Sequence, residues 1–340
     1  MARRRGCLGR ALMALLAAAI LIAVVSAVIA AYWYLAPYRA FGGQTFVEIE
    51  HGMSSRQIAR VLAKQGVVRS QWAFLTIRFF QSRARLQAGE YRFDSAETPM
   101  QVFDKIRRGD VFYEDFTVPE GSNIFDVANL LDQTDTIHSS AFLKAAADPE
   151  LIRDLDPLAP DLEGYLFPST YRLTHRTTAR QLCEMMTAEF RKQWNAIGGK
   201  QRMADIHKIV TLASLVEKET AVPAERPLVA AVFSNRLLMA MPLQCDPTTV
   251  YAALLENRYR GVIYKSDLAS ANPYNTYTNA GLPPGPIANP GASSLRAALQ
   301  PADVSYLYFV AKSDGSGSHQ FSSTLAEHDK AVLAYRKAER

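Results

Sequence analysis

The chain has 340 residues, about two domains by the usual length relation, and 49% of them are apolar, enough for a sizeable core. Its formal charge is +5, but Arg3, Arg4, Arg5 and Arg10 supply four of those charges and leave +1 over the rest, which is not the footprint of a nucleic-acid binder. Cys7, Cys183 and Cys245 form no CxxC or Cys/His cluster, which argues against a metal framework.

Residues Ala11 to Leu35, ALMALLAAAILIAVVSAVIAAYWYL, run without a charge. About 20 apolar residues suffice to cross a bilayer. Tyr32, Trp33 and Tyr34 fit an aromatic belt at the outer interface, and the arginines before the span hold residues 1–10 in the cytoplasm. A cleaved signal peptide would have a shorter apolar core, about 7–15 residues, ending on small residues rather than aromatics. The expectation is an uncleaved single-pass anchor with everything after Ala36 outside the cytoplasm. Cys183 and Cys245 then face an oxidising compartment, and spacing leaves open whether they pair.

Beyond a short linker over 37–43, FVEIE (Phe46–Glu50) alternates like a strand. Gly52 with Ser54 or Ser55 gives a turn and an N-cap. Ile58, Val61 and Leu62 form a helical stripe that Gly66 ends; a helix with Trp72, Phe74, Leu75 and Phe79 follows. AGEYRF (Ala88–Phe93) reads as a strand, and Pro99 opens a helix with Val102, Phe103 and Ile106 inward. The pattern then partly repeats: a strand at Phe116–Val118, a turn and cap at Gly121 and Ser122, and a stripe of Ile124, Val127, Ala128 and Leu131. This doubled strand–turn–helix unit resembles the lysin-motif type of peptidoglycan-binding module. A small packing unit without a ligand would read the same way.

Asp161–Leu173, DLEGYLFPSTYRL, reads as strand and turn, with Glu163 either a structural partner or a site-lining acid. A helix follows over Thr178–Ala196. From Ile206 to Glu219 one helix carries Ile206, Ile209, Val210, Leu212, Ala213 and Val216 on one face. Glu217 and Glu219 fall on opposite flanks of it, so helical geometry leaves the two tied. A carboxyl group held against apolar residues at a helix end is a candidate general acid, because such surroundings disfavour its ionised form. Pro223 and Pro227 limit that helix, and the next, Leu228–Leu238, carries Asn235 and Arg236 near its end.

Polar groups then accumulate. QCDPTT (Gln244–Thr249) sets Asp246 before a proline turn; YNTY offers Tyr274, Asn275, Thr276 and Tyr277; LPPGPI (Leu282–Ile287) is a stiff loop. Amides, hydroxyls and stacking aromatics are what sugar recognition requires. SYLYFVA (Ser305–Ala311) reads as a buried strand with His319–Phe321 as its partner, and His319 and His328 read as surface residues with no nucleophile to serve.

Taken together, VEKET (Val216–Thr220), NRL (Asn235–Leu237), LQCDPT (Leu243–Thr248), YNTY, GLPPGPI (Gly281–Ile287), NPGA (Asn289–Ala292), YLYFVA (Tyr306–Ala311) and EGYLFPSTY (Glu163–Tyr171) resemble the YceG-like endolytic murein transglycosylases over nearly the whole chain. The resemblance implies an α+β protein: a single N-terminal transmembrane helix, a small lysin-motif-like module over 44–115 and a YceG-like catalytic domain over 116–340, with 116–160 as a second strand–turn–helix unit. It implies a lyase of the bacterial inner membrane, with its catalytic domain periplasmic. That enzyme cuts the MurNAc-β-1,4-GlcNAc bond of peptidoglycan without water and leaves a 1,6-anhydro end. Such chemistry needs one carboxyl group, where ordinary glycosidases use two. In lytic transglycosylases the catalytic Glu ends a helix before a small hydroxyl residue, which points to Glu219, before Thr220, with Glu217 in support and paired with Arg226 or Arg236. The substrate contacts implied are Glu163, Asn235, Arg236, Gln244, Asp246, Tyr274, Asn275, Thr276 and Tyr277. No cofactor or metal is implied. The partners implied are glycan strands and the cell-wall synthases (penicillin-binding proteins), with glycan termination as a role. Two departures stand out: Cys245 where a hydroxyl residue is usual and Ser169 where an acid is common. A hydrolase pairing Glu219 with Asp246 or Glu163, and a wall-binding scaffold without activity, are the competing readings.

Overall fold

The computed structural model describes residues 2–134 and 136–338, and the side chains of all of these except residues 2–12, Trp33 and Ala204. The tail arginines, Cys7 and Trp33 therefore lie outside the side chains described. The chain divides at Glu114–Asp115 into two compact units.

The first unit opens with α1 (Ala2–Leu35), which continues through the basic tail; its stretch Met13–Tyr32 is exposed throughout and apolar enough to cross a membrane. After it come β1 (Thr45–Ile49), α2 (Ser55–Lys64), α3 (Gln71–Phe80), β2 (Gly89–Phe93) and α4 (Pro99–Arg108). β1 and β2 pair antiparallel, with Val47 opposite Tyr91. Their inner faces close on Ile58, Leu62, Phe74, Phe103 and Ile106 of the helices. Burial of each such side chain stabilises by roughly 1.5–3 kcal/mol. Ser54 caps α2 and Thr98 caps α4, each in a reciprocal box with the glutamine three residues on.

The second unit holds β3 (Glu114–Thr117), α5 (Ile124–Leu131), α6 (Ser139–Ala146), β4 (Thr170–Leu173), α7 (Ala179–Ala196), α8 (Ile206–Glu219), α9 (Arg226–Leu238), α10 (Asp246–Leu255), α11 (Lys265–Leu268), α12 (Ala292–Leu299), β5 (Tyr308–Ala311), β6 (His319–Ser322) and α13 (Leu325–Ala338). β3 pairs with β4, and β5 with β6 antiparallel. α8 is the axis of the core, packed by α9, α10 and α12. Thr211, Ser214 and Leu215 are buried along with the expected apolar stripe, so the middle of α8, residues 209–216, is enclosed on all sides, with Lys208 and Lys218 exposed at its ends. Its two hydroxyl residues are satisfied locally: Thr211 Oγ1 donates to His207 O and Ser214 Oγ to Thr211 O.

Several sequence expectations are corrected. Asn123, not Ser122, caps α5, because its amide oxygen accepts from both Phe125 N and Asp126 N. Asp246 does not precede a turn; it starts α10, with Pro247 in the first turn where the missing N–H costs nothing. Of Asp161–Leu173 only Thr170–Leu173 is strand. β5 is half-exposed rather than buried, being one of only two strands in its sheet. Both Cys183 and Cys245 are free, buried thiols.

A candidate active site at the end of α8

α8 stops because Thr220 turns extended (φ −140°, ψ 128°) and Pro223 follows. The Thr220 hydroxyl accepts from Val222 N and donates to Glu225, which fixes the turn into α9. Glu217 and Glu219 are two residues apart, which on an α-helix directs them to opposite sides.

Their surroundings break the tie. Glu217 accepts from Arg226 Nη2 at 2.8 Å and from Gly291 N at 2.9 Å. Both charged side chains are sealed, at 4% and 7% exposed. Glu217 therefore welds the end of α8 to the starts of α9 and α12. Glu219 is half-buried, and among the described residues no Lys or Arg lies within ion-pair distance of it. Burial is the main reason its carboxyl sits above the ordinary range; a hydrogen bond from the Cys245 thiol draws it back, Asp246 pushes it further up, and His319 and Arg236 oppose that.

Glu219 opens onto a pocket of about 230 Å³ lined by Phe233, Arg236, Leu243, Gln244, Asp246, Tyr277, Phe309 and His328. Five of the sequence-predicted residues thus meet there: Glu219, Arg236, Gln244, Asp246 and Tyr277. Arg236 donates from Nε to Leu307 O (2.7 Å) and from Nη1 to Leu243 O (2.9 Å), with its guanidinium over the Tyr308 ring. It ties the 242–245 loop to β5 while lending the pocket a positive charge. The Tyr277 hydroxyl donates to Asp246 Oδ1 at 2.5 Å, and burial, with Asp246 beside it, keeps that phenol protonated. Gln244 holds φ at 50°, a left-handed backbone that non-glycine residues rarely adopt and that clusters at functional sites. The strained bend brings its side chain to the rim.

The other predicted residues do not line this pocket, and their polar groups and rings meet other parts of the protein. Asn275 is fully buried and donates to the carbonyls of Asp267, Leu268 and Ser270. Thr276 Oγ1 accepts from Cys245 N and pairs with Thr248, so these two residues shape the loop that presents Gln244 and Asp246. Asn235 donates to Val304 O and Tyr306 O, and Tyr274 packs its ring on Tyr251. Glu163 is buried away from the pocket. It accepts from Ile124 N, Tyr251 Oη and Asn289 Nδ2, and desolvation holds its carboxyl well above the ordinary range. Asn289 in turn accepts from Gly164 N and Leu166 N. Gly164 (φ 86°) is obligatory there, since a Cβ would meet Pro286 Cγ at 2.4 Å.

Sequence reasoning missed Phe233, Leu243 and Phe309 as walls of the pocket, and His328. Both histidines read as surface residues are partly enclosed. His319 bonds Glu225 at 2.7 Å. His328 stacks on Tyr308, and burial together with Arg236 lowers its basicity. The inward spacing on the apolar strand at Tyr306–Ala311 was the one available signal for Phe309; His328, far along the chain, gave none. Among the described residues no group of three or more His, Cys, Asp or Glu is arranged to hold a metal ion.

Fold and pocket together define an α+β protein with an N-terminal apolar span and a second unit built around one helix-terminal carboxyl group facing a small polar cleft. Residues 47–334 match the family model described as the YceG-like family, and the chain belongs to that family. An endolytic murein transglycosylase of Bacillus subtilis (strain 168) is 35% identical over 310 residues, 85% of this chain and 84% of that protein. One of Streptococcus pneumoniae (serotype 2, strain D39) is 28% identical over 85% of this chain but only 58% of its own length. The crystal structure of a YceG-like protein from Listeria monocytogenes superposes with a TM-score of 0.54 at 32% identity, covering 85% of this chain and 99% of that one.

Proposed function

We propose that this chain is an endolytic lytic transglycosylase of peptidoglycan. The observation that carries the reading is the asymmetry at the end of α8: Glu217 is neutralised and sealed, whereas Glu219 is desolvated, without an ion-pair partner among the described residues, and open to a polar pocket. A raised carboxyl pKa keeps the proton available for donation. Glu219 protonates the glycosidic oxygen between MurNAc and GlcNAc, and the C1–O bond breaks. The carboxylate left behind takes the proton from the muramic 6-hydroxyl as that oxygen bonds to C1. The enzyme is returned protonated, no water is consumed, and the new end is a 1,6-anhydro sugar. Tyr277, Asp246 and Gln244 supply hydroxyl and amide edges for the sugars, and Arg236 fixes the loop that carries two of them. With the span as anchor, the second unit works outside the cytoplasm at the membrane face, beside the synthases that make the strands, and its cuts set strand length.

Asp246 shares the pocket with Glu219, which favours one alternative, a hydrolase with two carboxylates. The products separate the two. Mass spectrometry of uncrosslinked glycan strands is expected to show anhydro ends with the wild type and none with Glu219→Gln. Reducing ends, or full activity in that variant, would overturn the reading.

A further inference from the structure

Helix α3 buries Ala73 and Phe74 but leaves Trp72, Phe79 and Phe80 at 62%, 78% and 79% exposed. Positions 72, 76, 79 and 80 follow helical spacing, so the aromatics share one outward face. Soluble surfaces seldom gather three large aromatics on one helix face.

Two observations say what covers it. The first is position. α1 ends at Leu35, and by Tyr38 the chain is already bridged to Glu97, while Ala40 N bonds Gly66 O. The module therefore starts three residues from the span, at most about 10 Å of extended chain. Thr98, beside that bridge, lines an apolar hollow with Tyr32, Leu35 and Pro37. Met100, in the first turn of α4, accepts from Gln81 Nε2 at the end of α3. α3 begins at Gln71, five residues past Gly66, so its outward face starts beside the place where the span leaves and reaches Phe79 and Phe80 within about 14 Å of helix. The second is charge. From His51 through Gly89 the chain has seven Arg and Lys and no Asp or Glu. Arg83 and Arg85, just past Phe80, are exposed, ion-pair with no carboxylate among the described residues, and line a shallow hollow with Phe80 and Arg107.

We propose that this face of α3 lies on the membrane that holds the span. Trp72, Phe79 and Phe80 enter the boundary between headgroups and acyl chains, and Arg83 and Arg85 take the phosphates of anionic lipids. The module is then oriented on the bilayer by a second attachment, independent of the chemistry at Glu219.

The test uses the full chain with Cys7→Ser and Phe79→Cys, labelled at position 79 with bimane; Cys183 and Cys245 are buried and stay unlabelled. It is placed in nanodiscs of phosphatidylcholine, with or without phosphatidylglycerol. Acyl-chain nitroxide lipids are expected to quench the label about twofold or more better in the anionic discs, and aqueous acrylamide correspondingly less. Adding Arg83→Glu and Arg85→Glu returns both signals to the neutral-disc level. Equal acrylamide access in detergent and in both discs overturns the proposal. So does shielding by soluble glycan strands but not by lipid, which would make the face a wall-binding surface.

Discussion

Replacing each α8 glutamate by glutamine tests the proposed division of roles, Glu217 as a structural carboxylate and Glu219 as the acid of the reaction. Glu217→Gln leaves Arg226 charged and sealed, with Glu120 at 3.6 Å as its remaining counter-charge. Breaking a buried pair costs about 3–5 kcal/mol, and the glutamine oxygen still accepts from Gly291, so the low end applies, about 3 kcal/mol. For a unit of this size that is a fall in Tm of about 6–12 °C. Glu219→Gln removes a desolvated carboxyl that has no ion pair among the described residues. Its folded pKa is raised, so above that pKa the ionised form destabilises the fold, and the penalty is relieved as pH falls through it. The glutamine carries no such penalty, so its Tm at neutral pH is expected to match or exceed that of the wild type. Its activity is expected to fall by about 10²–10⁴-fold or more. Calorimetry and release of anhydro-muropeptides, assayed below both transitions, read the two effects. The reasoning is refuted if Glu217→Gln loses activity with an unchanged Tm while Glu219→Gln melts early and stays active.

Cys245→Ser puts a stronger donor against Glu219, stabilising the carboxylate. The alkaline limb of the kcat/KM profile, where the acid form is lost, is expected to move to lower pH by up to about one unit, and a rate–pH series checks it. Asn289→Ala strips hydrogen bonds from Gly164, Leu166, Ser122 and Glu163 at once. Leaving several buried groups unpaired is expected to cost about 2–4 kcal/mol in urea unfolding.

Local patterns that determine their own structure were legible from the residues. The apolar span, the helix bounded by Ile206 and Glu219, the strand expected at Ala88–Phe93 and found at Gly89–Phe93, and the helix opened by Pro99 follow from period, capping and composition alone. The pocket was only partly so. Tyr277 and Asn275 belong to one tetrapeptide and both have sugar-binding chemistry, but one faces the cleft and the other is buried beneath it. That difference is set by the carbonyls of Asp267 to Ser270, which reach Asn275 only once the loop has folded. The tie between Glu217 and Glu219 could not be resolved by periodicity for the same reason: what distinguishes them is Arg226 on α9 and Cys245 at the start of α10. Glu163 stayed open between structural partner and site acid because a lone carboxyl in an apolar stretch looks alike in both roles; in the fold it meets Asn289 and Tyr251.

The junction between Leu35 and Tyr38 has a mechanical meaning. A long flexible leash would let the first unit sample a hemisphere above the membrane, at heights set by diffusion. Three residues clamped by the Tyr38–Glu97 bridge act instead as a ruler. With α1 in a bilayer, as proposed, the altitude of Tyr38 is a length written into the chain, and a tilt or rotation of α1 would reach the unit as torque.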